Sequence, residues 1–335
     1  MTYDVHAHGV PEAVVTLIES EGPELGVVFD GDRRIVIADR VRTIPLRRDL
    51  VDMSARIEAM DRAGIDVQII SSWVNLTAHA LDVERGVTWA GRVNDALAAE
   101  AARHADRLLA FGIAPLQAPE AAANELRRCV GDLGMVGVEI ATTIDGRELI
   151  AFDLEPFWKT AAELRCIVMI HPMDPLPGVE LGSYGLDNSV GRPTETTITT
   201  AKLVLSGVLD RHPDVRICLV HGGGFLPYQI GRIQHAWETR PDLVGKDTAV
   251  PPKEALGRLY FDTVLHDPAP LRYLIDLVGA DHVVVGTDYP FEAGDLNPLA
   301  TLDGVAGLTS DQRALITSGN VARLLGEMAP AFPGR

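Results

Sequence analysis

Eight short apolar runs, separated by helix-like segments, most constrain what this chain can fold into. They fall at residues 3–8, 65–71, 108–114, 135–140, 166–171, 215–221, 258–263 and 282–287. Strands that alternate with helices are typical of a parallel sheet wrapped by helices, because every parallel connection needs a crossover. Eight such units predict an α/β protein of the (β/α)8 TIM-barrel type.

The connection after the first run is unusually long and carries its own strand pattern. Residues 27–37 alternate around Asp30-Gly31-Asp32, which predicts a small β-hairpin inserted after the first strand. A second irregular stretch, residues 173–193, is rich in Gly and Pro, and we expect both stretches to cover the barrel mouth. Neither a repeat nor a low-complexity linker divides the chain, so we predict one domain over residues 1–335 with an insertion at about 9–50.

Polar side chains stand at the ends of four of these apolar runs. His6 and His8 are two residues apart in the first run, so they share one face of a strand, while His171, His221 and Asp288 close or follow three later runs. The carboxyl ends of barrel strands meet at one face, where catalysis is located. Imidazole and carboxylate groups are ligands for zinc, manganese or iron. We therefore predict a metal site there.

The alternative is that each histidine is a hydrogen-bonded core residue. That reading suits a single histidine at a strand end, but it does not explain five groups in equivalent positions. Glu139, in the fourth run, is either a further ligand or a wall residue that pairs with a neighbouring charge. Trp73 follows the second run and either stacks on a flat substrate or packs in the core.

Composition limits the partners. The chain has 47 Asp and Glu against 30 Lys and Arg, a net charge of −17, which argues against a nucleic-acid partner. An anionic substrate would need specific arginines to offset this field. Three scattered cysteines without metal-type spacing, no secretory leader and no long apolar run predict a cytoplasmic protein with reduced thiols and no membrane partner.

Several segments, in the same order, make the chain resemble the amidohydrolase superfamily, and within it the branch of non-hydrolytic, metal-dependent decarboxylases. The matching segments are Asp4-Val5-His6-Ala7-His8, Arg56-Ile57-Glu58-Ala59-Met60-Asp61, Ile170-His171-Pro172, Val220-His221-Gly222-Gly223-Gly224, Ile230-Gly231-Arg232, Gly286-Thr287-Asp288-Tyr289-Pro290-Phe291 and Ser318-Gly319-Asn320. They extend from residue 4 to residue 320, so the likeness spans almost the whole chain.

The resemblance implies a distorted (β/α)8 barrel with one divalent metal, usually zinc, held by His6, His8, His171 and Asp288. It makes His221 an acid/base, with Asp288 a second catalytic group as well as a ligand. Zinc is favoured over manganese because the chain opens with His-x-His, whereas manganese-dependent members begin with Glu-x-His. The lysine that bridges two metals in other members of the superfamily is absent from the fourth run, which indicates a single ion.

The resemblance also implies arginines that bind a small carboxylate substrate. Arg232 would reach across a homodimer interface to the substrate of the partner. A second arginine comes from the insertion, and Arg42 is our choice, with Arg47 and Arg48 as competitors. The implied reaction is decarboxylation of a small unsaturated or aromatic acid. The alternatives are a hydrolase or hydratase acting on a lactone, amide or enol acid, and a metal-stabilised binding protein without activity.

Overall fold

The computed structural model describes residues 1–173 and 181–328. In this part of the chain the β-strands are β1 (Tyr3–Gly9), β2 (Val27–Phe29), β3 (Ile35–Ile37), β4 (Arg40–Val41), β5 (Val67–Ser72), β6 (Leu108–Ala110), β7 (Gly112–Ile113), β8 (Gly137–Ala141), β9 (Thr143–Ile144), β10 (Arg147–Glu148), β11 (Ile167–His171), β12 (Arg216–Leu219), β13 (Tyr260–Asp262) and β14 (Val283–Val284).

The α-helices of the same ranges are α1 (Glu12–Ser20), α2 (Gly22–Leu25), α3 (Arg48–Val51), α4 (Met53–Ala63), α5 (Val83–Arg103), α6 (Pro119–Gly131), α7 (Glu155–Leu164), α8 (Arg192–Leu205), α9 (Val208–Arg211), α10 (Leu226–Thr239), α11 (Pro252–Leu256), α12 (Pro268–Val278), α13 (Pro298–Asp303), α14 (Ser310–Ala314) and α15 (Asn320–Leu325). None of the described helices is both long enough and apolar enough to cross a membrane.

Two parallel sheets close into the predicted barrel. Their strand orders are β1-β5-β6 and β7-β8-β11-β12-β13-β14. The third barrel strand is split at Phe111, whose N–H still donates to Ile70 O of β5 at 2.8 Å. At the other seam Val5 N donates to Val285 O at 2.9 Å, so β1 meets the chain beyond β14. The prediction of a distorted eight-stranded barrel is confirmed.

The seam beside β1 is irregular in a way that matters for the site. The pairing of β1 with β5 shifts register between Asp4 and Ala7, which marks a β-bulge. Bulges re-aim side chains. Asp4 Oδ2 accepts from Gln68 Nε2 at 2.7 Å, whereas His6 and His8 approach one another, with 3.3 Å between their Nε2 atoms. The bulge therefore divides β1 into a structural half and a ligand-bearing half.

The core has two compartments. One lies between strands and helices, where the face of α5 formed by Trp89, Val93 and Leu97 is fully buried. The other lies inside the barrel and includes Ile69 and Phe111. Each such large apolar side chain contributes roughly 1.5–3 kcal/mol when it leaves water. These compartments hold the strand ends rigidly, which a multi-residue site requires.

The predicted hairpin insertion is present, with one strand more than expected. Strands β2, β3 and β4 form an antiparallel sheet after helices α1 and α2. The Asp30 carboxylate accepts from Asp32 N at 3.0 Å and from Arg34 N at 2.9 Å, which shapes the turn. Beyond β4 the chain runs to α3 across the mouth of the barrel.

The second expected cover, residues 173–193, lies partly outside the described residues, because residues 174–180 are not among them. Its remainder forms two helical turns, Ser183–Gly185 and Asp187–Gly191, that lead into α8. The single-domain organisation with its insertion at about 9–50 stays a prediction.

Candidate metal centre

Five polar groups from distant parts of the sequence converge at the carboxyl ends of the barrel strands. His8 Nε2 lies 3.2 Å and His6 Nε2 lies 3.4 Å from Asp288 Oδ1. His221 Nε2 lies 3.5 Å from Asp288 Oδ2. The His171 ring centroid is 4.8 Å from that of His8. The structure therefore brings all five predicted groups together.

The strands explain this convergence. His6 and His8 lie on β1 and His171 is the last residue of β11. His221 follows β12 in a tight turn, where both it and Gly222 have positive φ angles, 54° and 59°. A Cβ atom on Gly222 would lie 2.6 Å from Leu265 Cδ2, so only glycine fits there. The glycine run after His221 thus provides room for backbone next to the site.

Hydrogen bonds at the far ring nitrogen orient three of the four imidazoles. His6 Nδ1 donates to Asp262 Oδ2 at 2.7 Å, His8 Nδ1 to Ser72 O at 3.2 Å and His171 Nδ1 to Pro172 O at 2.8 Å. These bonds place a proton on each Nδ1 and direct each Nε2 toward the cluster, as for metal-ligating histidines in general.

His221 is different. Its Nδ1 is buried and receives no hydrogen bond partner from any residue the structure describes. The His221 side chain as a whole is nevertheless the most exposed of the cluster, with 17% of it accessible against 0% for His6 and 8% for Asp288. The structure therefore orients three imidazoles through their Nδ1 atoms and leaves the fourth without such a hydrogen bond among the described residues.

Burial and neighbouring charges shift the pKa values of His6, His171 and Asp288. Burial alone would lower the pKa of His6, but the charges of Asp288 and Asp262 outweigh it and raise this pKa to about 9. Burial together with the neighbouring imidazoles holds the pKa of His171 well below its usual range. The pKa of Asp288 lies well below normal because the histidine charges outweigh its desolvation. The Asp288 carboxylate is thus ionised.

These residues fit one divalent metal ion. One donor atom each from His6, His171, His221 and Asp288 lie within 4.8 Å of one another, and His8 Nε2 adds a fifth. Donors about 2.1 Å from a shared tetrahedral ion are roughly 3.4 Å apart, close to the separations measured here. His171 Nε2 is buried and has no hydrogen bond within residues 1–173 and 181–328, which is costly without a ligand.

A cavity of about 380 Å³ opens onto the cluster. Its lining includes His171, His221 and Asp288 together with Trp73 and Phe291. The Trp73 and Phe291 ring centroids are 5.3 Å apart. Aromatic walls around a few polar groups are typical of small-molecule sites, and this volume suits a single aromatic ring with its substituents. Trp73 thus lies in the cavity, as one of the two sequence-based readings required.

The three candidate arginines of the insertion lie in different places. Arg42 lines a small cavity next to the one at the candidate metal centre, with its Nη2 3.8 Å from Asp145 Oδ1, and its role in substrate binding stays a prediction. Arg47 lines the cavity that opens onto the candidate metal centre. Arg48 is 88% exposed and pairs with Asp52. Between β4 and α3, Ile44 and Arg47 line the cavity at the cluster, whereas Arg42 lines the smaller one. Arg232 is exposed on α10.

Three residues that support the site were missed from the sequence. Asp262, at the end of β13, accepts from both His6 Nδ1 and Gly222 N, at 2.7 and 2.8 Å, and so joins two parts of the cluster. Asp4 and Thr287 join the strands that carry His6 and Asp288, with Thr287 Oγ1 2.6 Å from Asp4 Oδ2. A carboxylate inside an otherwise apolar run is the signal that would have identified Asp262 and Asp4.

Glu139 supports the site as a wall residue. Its Oε2 accepts from Ser71 Oγ at 2.7 Å and lies 3.8 Å from His8 Nδ1, which is the ring nitrogen directed away from the cluster. Burial raises its pKa. This contact agrees with the ion-pair alternative drawn from the sequence.

The fold and the site together define a metal-dependent barrel enzyme with its chemistry at the carboxyl ends of the strands. The chain belongs to the amidohydrolase family, whose model matches residues 3–326. This assignment confirms the resemblance found in the sequence.

The relatives are decarboxylases. The chain is 30% identical to 2-amino-3-carboxymuconate-6-semialdehyde decarboxylase of Dictyostelium discoideum over 82% of this chain and 77% of the relative. It is 35% identical to gamma-resorcylate decarboxylase of Rhizobium radiobacter over 74% of this chain and 80% of the relative. A solved 2,6-dihydroxybenzoate decarboxylase, complexed with 2,6-dihydroxybenzoate, superposes with a TM-score of 0.77 at 27% identity over 96% of this chain and 98% of that one.

Proposed function

We propose that this chain is a metal-dependent carboxy-lyase that removes carbon dioxide, without hydrolysis, from a small unsaturated or aromatic carboxylic acid. One observation carries the proposal: five metal-ligand and acid/base groups converge at the floor of an aromatic-walled cavity large enough for one substituted ring. The decarboxylases to which the chain is similar support the same reaction.

His6, His8, His171 and Asp288 are the groups we assign to the metal. Their three imidazole nitrogens and one carboxylate suit zinc best, and manganese is the alternative. When bound, the ion supplies positive charge that stabilises the substrate oxygens next to the carboxylate that is lost. The fixed Nδ1 hydrogen bonds of the three imidazoles support this ligand set over one that includes His221.

His221 is the acid/base. Its imidazole lines the cavity, and its Nε2 lies 3.5 Å from Asp288 Oδ2. In the proposed reaction His221 delivers a proton to the carbon that bears the carboxylate. The carbon–carbon bond then breaks, its electron pair returns to the ring or double bond, and carbon dioxide leaves. Proton transfer of this kind typically accelerates a reaction about 10²–10⁴-fold.

Trp73 and Phe291 hold the flat part of the substrate, and Arg47 binds a carboxylate oxygen from the side of the insertion. The named substrates of the relatives, gamma-resorcylate and 2-amino-3-carboxymuconate-6-semialdehyde, are therefore the first compounds to assay. A hydroxybenzoate and a muconate semialdehyde differ in whether the unsaturated system is closed into a ring, and both are flat.

A cytoplasmic homodimer completes the proposal. Arg232 lies exposed on α10, where Tyr228 of the same helix is 76% exposed and stacks near Tyr273, 6.2 Å between ring centroids. Exposed aromatic side chains beside an arginine are enriched in interfaces. We propose that this face meets a second copy, so that Arg232 reaches the partner's cavity. Sedimentation of a fully active monomer would contradict it.

The decisive experiment is turnover of 2,6-dihydroxybenzoate in D2O by the metal-loaded protein. We expect one carbon dioxide per substrate and one deuterium at the vacated ring carbon, because the proton replaces the carboxyl group. A product that keeps its carboxylate and gains the elements of water would identify a hydrolase or hydratase instead. His221→Asn, which retains a polar group but cannot relay a proton, is the matched control.

A further inference from the structure

Arg47 and Arg192 both line the cavity that opens onto the candidate metal centre. They differ in how many of their N–H donors already have a hydrogen-bond acceptor. The Arg47 guanidinium makes a two-point hydrogen bond to Asp49, at 3.1 and 2.6 Å, and lies 3.8 Å from Glu292. Arg192, the first residue of α8, lines the same cavity. Its Nη1 atom is buried and has no hydrogen bond to any residue in the described part of the chain.

The surroundings of Arg192 hold its side chain without occupying that donor. Glu195, one turn later on α8, is 4% exposed, and its Oε2 lies 3.9 Å from Arg192 Nη1, beyond hydrogen-bond distance. The other Glu195 oxygen accepts from Met173 N at 3.0 Å and from Thr142 Oγ1. A fixed carboxylate thus neutralises part of the guanidinium charge and orients it, while an N–H remains for another acceptor.

We propose that Arg192 binds a second anionic group of the substrate, so that this chain acts on dicarboxylic acids in preference to monocarboxylic ones. The inference rests on the proposed function, because that function places the departing carboxylate beside the metal centre and assigns one of its oxygens to Arg47. The second carboxylate completes the hydrogen bonding of Arg192, which buried polar groups otherwise find within the protein. Arg192 is therefore a specificity-determining residue.

Charge supports this assignment. The protein carries a net charge of −17, and Asp49 and Glu292 both stand beside the other cavity arginine. A doubly charged substrate therefore needs a guanidinium with an N–H donor that no internal carboxylate already accepts, and Arg192 Nη1 is such a donor within the described part of the chain. A guanidinium also matches the planar geometry of a carboxylate better than an ammonium group does, since it can present two parallel N–H donors.

Equilibrium binding of unreactive probes tests the proposal separately from turnover. Calorimetry on the metal-loaded protein would compare benzoate with isophthalate and terephthalate, which add a second carboxylate to the same ring. We expect at least one dicarboxylate to bind about tenfold to a hundredfold more tightly than benzoate, as for one hydrogen bond to a charged group. In Arg192→Met this preference disappears, whereas the affinity for benzoate changes less than about threefold.

Three further variants keep the result interpretable. Arg192→Lys retains charge but not the planar pair of donors, so it restores part of the preference. Arg192→Met combined with Glu195→Gln leaves no buried charge unpaired, which separates recognition from misfolding. Arg103→Met removes an arginine that is 63% exposed where α5 ends, before the start of β6, and serves as the control with unchanged preference.

Equal binding of benzoate and both dicarboxylates by the wild-type protein overturns the proposal, as does a preference that survives in Arg192→Met. Turnover of 2-hydroxybenzoate against 4-hydroxyisophthalate distinguishes the two levels of inference. If neither compound loses carbon dioxide but the Arg192-dependent binding preference is present, the proposed reaction fails and the second anion site stands. If both are decarboxylated equally well, the reaction stands and the role of Arg192 fails.

Discussion

The rim of the barrel and the inserted segment both contribute to the cavity, but they are held in different ways. At the rim, His6 and His8 are fully buried, and each is oriented by a hydrogen bond to a strand end. In the insertion, Arg47 is 33% exposed and is held by an ion pair to Asp49. Exposed pairs of this kind contribute little to stability. The difference implies that the rim determines the chemistry, while the segments above it set substrate specificity. Substitutions in those segments cost little stability.

The rigidity of the rim comes from a buried polar network across the barrel seam. Arg56 Nη1 donates to Gln68 Oε1 at 2.7 Å, and Gln68 in turn donates to Asp4. Asp4 then accepts from Thr287, directly before Asp288. Burial lowers the pKa of Arg56 to about 10, and a network of this kind is stable only when every member has its partner. It ties the strand of His6 and His8 to the segment of Asp288.

We expect removal of the metal to have the largest effect on activity and stability, and we expect the structural change to stay at the rim. We expect chelation to abolish activity and, at a metal concentration about a thousandfold above the dissociation constant, to lower the melting temperature by roughly 6 °C, since binding then contributes about 4 kcal/mol. Calorimetry with and without chelator measures the shift, and re-addition of zinc or manganese identifies the ion that restores activity. Full activity after verified metal removal contradicts the assignment.

His221→Asn comes next and separates two roles within the rim. We expect kcat to fall by about 10²–10⁴ while one equivalent of metal remains bound, because an acid/base is lost and the ligand set is intact. Metal content by atomic absorption and kcat on the same preparation provide the comparison. A variant that loses its metal would make His221 a ligand, in agreement with its place in a group of four donors that lie within 4.8 Å of one another.

Asp262→Asn tests the support behind the ligands. The neutral amide oxygen is a weaker acceptor than the Asp262 carboxylate, which accepts a hydrogen bond from His6 Nδ1 at 2.7 Å. His6 therefore becomes a weaker and less well oriented ligand. Loss of such a partner usually costs about 10–100-fold in metal affinity. A competition titration with a chromophoric chelator measures this value. Asp267→Asn, at the exposed start of α12, is the control, with unchanged metal affinity.

The same contrast explains what the sequence predicts well. His6, His8, His171, His221 and Asp288 were identifiable because strand periodicity and the shared edge of parallel strands are local rules with one geometric outcome. All eight barrel strands follow from the same rules. The split of the third strand at Phe111 and the bulge in β1 do not, because they arise from closing the sheet into a cylinder.

Irregular segments follow no such rule. Arg42, Arg47 and Arg48 are nearly equivalent in the sequence, and only the path of the chain between β4 and α3 decides that Arg47 enters the cavity. Arg192 has no local pattern at all, since an arginine at the start of a helix is ordinarily a solvated residue. Its place depends on α8 packing beside the rim, a long-range result that periodicity does not encode.

Arg47→Met against Arg42→Met is the smallest and sharpest test of the insertion. We expect KM for the carboxylate substrate to rise about tenfold in Arg47→Met, because a charge-assisted hydrogen bond is lost but Asp49 already engages part of that charge. In Arg42→Met the change stays under about threefold, since this side chain contacts Asp145 outside the cavity. Metal affinity stays constant in both, because neither side chain reaches the rim groups.

Steady-state kinetics on one substrate measures both variants. A larger effect in Arg42→Met would show that the insertion rearranges around substrate, and metal loss in either variant would show that rim and insertion are not independent.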